Sequence, residues 1–193
     1  MKNKNKKRKK IIEVSLQLFI KKGFHGTPTS LIAKKAGIAT GTLFNYFKTK
    51  DILINEIFKE IKMERKESIL KDLDGTKSSK IKLKKFWNNL IIWEIENPDE
   101  RKFLNYFSNS NFISDDTKIE TNKNYKFLLD VFREIIDKKR MKNINELMLI
   151  LNFMGACIFT GKYFHITKEI YNEKISDEPF ERFCDSIELS DED

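Results

Sequence analysis

The chain has 193 residues, 40% of them apolar with 16 Phe and 34% charged, enough for one compact domain or a small domain fused to a moderate one. Only 7 Gly and 3 Pro argue against an all-β fold built on tight turns, and the two cysteines, Cys157 and Cys184, are too few and scattered for a disulfide framework. The net charge of +8 is uneven: residues 1–50 carry 13 Lys/Arg against one acid, Glu13, for +12, and the remainder nets −4.

Basic charge confined to the first quarter of the chain points that part toward nucleic acid or an anionic surface, or marks a solvated lysine-rich tail. The opening "MKNKNKKRKK" runs into "IIEVSLQLFIKKG", which lacks a small-residue cleavage site and does not read as a signal peptide. Reduced thiols and a cytoplasmic protein are the simplest expectation.

Apolar spacing predicts helix almost throughout. Ile12, Leu16, Phe19 and Ile20 stripe a first helix that Gly23 is placed to stop. Thr27 is the expected N-cap of a second, with Pro28 its first residue and Gly37 its end. A third short helix starts near Thr40. From Asp51 a long helix carries Leu53, Ile57 and Ile61, and "DGTKSS" at 74–79 breaks it. "KIKLKKFWNNLIIWEIEN" forms the next, and Asn97-Pro98-Asp99-Glu100 starts another, with acids near the positive end of its dipole. After a loop at 108–116 come helices over about 117–140, striped by Tyr125, Leu128, Leu129, Phe132, Ile135 and Ile136, and about 144–164. A last helix from about Ser176 carries Phe180, Phe183, Cys184 and Ile187 before the acidic "DED". The class is all-α.

Three short helices ending near residue 50 have the layout of a helix-turn-helix. Ala33 is small where a second helix must cross, Gly37 four residues on allows the turn, and Leu43 six further anchors the second helix. Ile32, Ala36 and Ile38 complete a small core. Leu43 and Phe47 share one face with Phe44 beside them, leaving Gly41, Thr42, Asn45 and Tyr46 on the outer arc. Those short polar groups suit base edges and phosphates, and Lys48 and Lys50 follow where they can neutralise phosphate. "GIATGT" lacks the lysine of a phosphate-binding loop and no buried strand precedes it, so that rival fails.

"GFHGTPTSLIAKKAGIATGTLFNYFKTKDIL" resembles the signature of the TetR/AcrR family of repressors, with a dense match over about residues 8–54. The resemblance implies a DNA-binding domain at 1–50 and a helical-bundle effector-binding and dimerisation domain at 51–193. It implies a homodimer on a palindromic duplex operator, and a small effector that moves the helix at 51–73 and releases DNA. Carried over by position, Thr27 and Thr29 lie near the DNA backbone, and Thr40, Thr42 and Asn45 face the groove. Tyr46 and Lys50 meet phosphates. Two departures stand out. Ala39 occupies a place where the family often has Ser, so a side-chain cap must come from Thr40 or be absent. Phe44 stands where the family often has Tyr, which removes a hydroxyl and leaves a ring expected to pack.

The apolar run Leu147–Phe159, thirteen residues with Asn152 inside, is too short to span a bilayer and reads as a helix buried all round. One side can face its own core and the other a partner subunit, with Gly155 and Ala156 allowing close crossing. The resemblance implies that two subunits pair through the later helices, here those near 117–140 and 144–164; the central helix of a monomeric bundle is the alternative. Trp87, Trp93, Phe103, Tyr106, Phe107, Phe127, Asn152 and Phe153 are candidates to line a pocket for an apolar or aromatic effector. His25 and His165 have no Cys or carboxylate at metal spacing, so no metal is expected. No cofactor motif and no nucleophile–base set appears, so no enzyme is expected. Two other classes stay open: a helical interaction protein with a membrane-binding basic arm, and an architectural DNA binder without effector.

Overall fold

A computed structural model describes residues 2–73, 78–122, 126–138 and 144–190, with side chains from Lys4 onward. Among them are ten α-helices and no strand: α1 (Lys2–Lys22), α2 (Thr29–Ala36), α3 (Thr40–Tyr46), α4 (Lys50–Leu70), α5 (Ser79–Glu96), α6 (Pro98–Phe107), α7 (Asp115–Asn122), α8 (Lys126–Lys138), α9 (Glu146–Thr167) and α10 (Glu173–Ser186). Most expected starts agree within a few residues. The helix expected over 117–140 corresponds to α7 and α8 on either side of residues 123–125, which lie outside the described residues, and the last helix begins three residues before Ser176 because Asn172 caps it, accepting from Lys174 N at 3.0 Å. Tyr125, the "DED" terminus and most of "DGTKSS" lie outside the described residues.

By contacts the chain divides into two compact units, Met1–Met63 with Pro98–Asn122, and Glu64–Asn97 with Lys123–Asp193. The division at residues 50 and 51 coincides with the start of α4; by packing, the first unit continues to Met63 and takes in α6 and α7.

In the first unit, α1 packs against α2 and α6, and α2 against α3. Ile11, Leu16, Leu18 and Phe19 form the buried face of α1, so its stripe is centred slightly to one side of the expected one. Phe19 meets Phe107 of α6 edge-on at 6.2 Å, and Gln17 Nε2 donates to Asp99 at 2.7 Å. The loop after α6 is fixed to α4 by Asn55, whose amide donates to Phe112 O at 2.9 Å and accepts from Ser114 N at 2.9 Å. Lys59 of α4 pairs with Glu120 of α7 at 2.7 Å.

In the second unit α5, α8 and α10 all pack against α9. Phe153 of α9 sits among Phe86, Trp87, Phe132 and Phe183 at ring separations of 5.1 to 5.8 Å. Trp87 is fully buried, and its indole N–H reaches Ser176 Oγ at 3.0 Å, so its one polar atom is satisfied. Arg65 and Glu94 form a buried pair at 2.7 Å, with the guanidinium over Trp93.

Candidate nucleic-acid interface

The turn between α2 and α3 is built by Gly37, whose φ of 70° and ψ of 35° lie in the left-handed region. Gly37 N donates to Lys34 O at 3.3 Å and Ile38 N to Ala33 O at 3.0 Å, the paired closure of a Schellman motif. Ala33 is buried where the helices meet. Leu43 and Phe47, both nearly fully buried, hold α3 down. Thr40, Gly41 and Asn45 are exposed, and Thr42 and Tyr46 half-buried, so the outer arc expected from the sequence is the one the fold presents. Ala39 stands at the N-cap of α3 with no side-chain cap, and Thr40 does not supply one. The first amides of α3 therefore have no partner from the side chain at their cap.

Three expectations need correction. Thr27 does not cap α2 and does not face outward: Pro28 stands at that cap, and Thr27 is fully buried. Its hydroxyl is directed to Gly23 O at 2.8 Å, just past the end of α1, with Leu18 O a second acceptor at 3.2 Å. Gly26 brings this turn so close that a Cβ would stand 2.3 Å from Lys22 O. Phe44 does not pack; it is 38% exposed, because Leu43 and Phe47 already fill the inner face of a two-turn helix.

Thr29 is half-buried at the start of α2, and Lys48 is exposed. Lys50 is held inside its own unit. Its ammonium donates to Phe24 O at 2.9 Å and lies 4.1 Å from the Phe24 ring centroid, and that ring stacks on Phe112 at 4.3 Å. Sequence reasoning missed Thr49, whose Oγ1 accepts from Ile52 N at 3.1 Å and caps α4; Thr three residues before a helical amide was the available signal. It also missed how far α1 reaches. The helix begins at Lys2, and Lys4, Lys6, Lys7, Lys9 and Lys10 are exposed along it. Arg8 is the exception: it pairs with Glu56 at 3.1 Å and with Glu60, and stacks over Phe47 at 5.4 Å. A groove of about 640 Å³ separates this lysine row from Gly37 and Ile38 at the turn.

The residues expected around an effector fall into two packed groups. Phe103 and Phe107 are buried in the first unit at 4.8 Å from each other, with Tyr106 exposed beside them. In the second, Trp87, Trp93 and Phe153 are core side chains, Phe127 is half-buried and Asn152 exposed. The buried rings fill space against one another, as aromatics at helical spacing do by default.

Residues 11–57 match the model of bacterial regulatory proteins, tetR family. A solved structure from Shewanella sp. PV-4, assigned to tetR family transcription regulators, is 26% identical and superposes with a TM-score of 0.83 over 93% of this chain and 97% of its own.

Residues 11–57 belong to the tetR family of bacterial regulatory proteins.

Among curated relatives, the Fatty acid metabolism regulator protein of Bacillus subtilis is 35% identical over 83 residues, 43% of either chain. The chain thus spans under half of that relative's length. The Bacillus subtilis FadR structure in complex with stearoyl-CoA shares the fold, with a TM-score of 0.71 at 22% identity over 90% of this chain and 96% of that one.

Proposed function

We propose that the chain is a ligand-responsive transcriptional regulator, a repressor that binds a palindromic operator as a homodimer. The observation that carries this is α3: Leu43 and Phe47 bury one side, while Gly41, Thr42, Asn45 and Tyr46 occupy the other beside Lys48. A seven-residue helix with that outer face fits a major groove, and the exposed lysines of α1 and α2 supply charge for phosphates. Residues 1–50 are assigned to DNA, and 51–193 to effector and dimer contacts.

The second support is α9. Leu147, Met148, Leu151, Phe159, Tyr163 and Ile166 are exposed along one side of it, at three- and four-residue spacing except for the two turns between Leu151 and Phe159. A contiguous exposed apolar stripe of this kind marks an interaction surface. Beside it a groove of about 500 Å³ is lined by Phe159, Tyr163, Ile175 and Pro179 of α9 and α10. The outward residues of α8, by contrast, are polar: Asp130, Arg133 and Asp137 are exposed. The dimer contact is therefore assigned to α9 with α10 flanking it, and the polar outer face of α8 is left to solvent. Among the described residues α9 is also the one helix long and apolar enough to cross a bilayer, but its other face forms the centre of a packed core.

Each half-site should lie roughly one helical turn, about 34 Å, from the other. Footprinting over the promoter region of the chain's own gene tests the reading. It is expected to protect a palindrome bound roughly a thousandfold or more tighter than random duplex. Protection without sequence preference would favour an architectural binder, and vesicle binding without duplex binding a membrane arm. The effector is proposed to be small and apolar or aromatic. Because FadR holds stearoyl-CoA, acyl thioesters are the first compounds to screen for operator release.

A further inference from the structure

Three charged side chains are buried among the described residues: Arg65, Glu94 and Arg101. Arg65 and Glu94 answer one another at 2.7 Å. Arg101, on α6, is 6% exposed and has no such partner. Its Nε and Nη2 are sealed from solvent and make no hydrogen bond. Arg65 also has an idle Nε, but its charge is met by Glu94.

A buried cation without a counter-charge destabilises the fold that carries it, and replacing it by an apolar residue should cost nothing. Such a group is explained when something absent from the free chain completes it. The two idle nitrogens also specify the shape of that missing group. Nε–H and Nη2–H lie along one edge of the guanidinium with parallel bonds, the edge that takes two oxygens of a carboxylate or phosphate at once. We propose that Arg101 receives the oxyanion head, carboxylate or phosphate, of an otherwise apolar effector. This sharpens the effector-responsive reading and rests on it. It also gives the effector a short route to DNA, because α6 is fastened to α1 through Gln17–Asp99 and Phe19–Phe107, and α1 packs on α2.

The test uses the full chain without DNA. Melting and calorimetry are run with dodecanoate, dodecyl phosphate and dodecanol, on wild type, Arg101→Met and Arg101→Lys. Wild type should be stabilised by at least one of the two anions and much less by the alcohol; which anion acts separates a carboxylate from a phosphate source. Arg101→Met should melt no lower than wild type in the absence of ligand, and bind the active anion roughly tenfold or more weakly. Arg101→Lys keeps the charge without the fork and should fall between. The proposal is overturned if Arg101→Met melts well below wild type without ligand. Equal anion binding by Arg101→Met overturns it, as does wild type that distinguishes neither anion from the alcohol. Operator binding is measured separately by anisotropy. A chain that binds these anions through Arg101 but binds no duplex would sink the regulator reading and leave the site standing.

Discussion

Gly41 has no atom within 4 Å of where a Cβ would stand, so nothing inside the chain requires a glycine there. Gly41→Ala should therefore raise stability by about 0.5–1 kcal/mol through helix propensity. If the bare backbone serves close approach to a groove, operator affinity should fall while the melting temperature rises; a parallel rise in both would end that assignment. Asn45 and Lys48 separate reading from attraction. Asn45→Ala should cost about 1–3 kcal/mol on the operator and little on random duplex. Lys48→Ala should weaken all duplexes alike and flatten the slope of affinity against salt by about one, with unchanged melting because Lys48 is exposed. Lys50→Ala is a less clean probe, since the same ammonium also holds the turn at Phe24. At this scale the sequence was legible where spacing sets the face: Leu43, Phe47 and the polar arc follow from a 3.6-residue period. It misled at Thr27 and Phe44. A threonine before proline reads as a cap, and nothing local reveals that backbone carbonyls at the end of α1 and just past it lie within reach of its hydroxyl. A phenylalanine reads as core, and nothing local reveals that the inner face of a seven-residue helix is already full.

Among the elements, α9 carries the tightest constraint. A Cβ on Gly161 would stand 2.9 Å from Glu94 Cβ, near the root of a buried side chain that cannot swing aside. Gly161→Ala should cost about 1–3 kcal/mol in denaturant unfolding, while Gly155→Ala, with nothing within 4 Å, should leave the monomer fold unharmed. Both cysteines are buried and free. Burial pushes the Cys184 thiol from its ordinary 9.0 up to about 12, and burial likewise holds Cys157 well above its ordinary value. A raised folded pKa means stability that is fully present below the unfolded value and lost as pH rises through the folded one. Melting temperature should therefore fall between pH 9.0 and about 12, and Cys184→Ala should shallow that decline. A slope identical in the variant would show that other groups set it. The identity of α9 as a central helix was readable from its unbroken apolar run. Which side of the run is left open was not, because a helix apolar all round gives no period from which to choose.

For the whole molecule, the dimer proposed along the exposed side of α9 can be tested apart from the fold. Phe159 is 69% exposed on that stripe, so Phe159→Asp should leave helix content intact. Sedimentation should then report a monomer, and palindromic operator binding should drop to the level of a single half-site. A monomer that still binds the full operator tightly would remove the dimer from the mechanism. The all-helical plan and the helix-turn-helix followed from periodicity and from the spacing of Ala33, Gly37 and Leu43. The contact-based grouping of α6 and α7 with the DNA-facing helices did not, since it depends on side-chain pairs far apart in sequence, such as Gln17 with Asp99. Phe24, finally, links two elements through one ring: Phe112 stacks on it and the Lys50 ammonium is drawn to it, beside Phe19 and His25. A shift of the loop carrying Phe112 would change what holds that ammonium, and, if Lys50 meets a phosphate in the proposed complex, how many counterions are released from DNA on binding. Regulation routed this way would register as a change in arrival rate and ionic-strength dependence on every duplex, with the preferred base sequence left as it was.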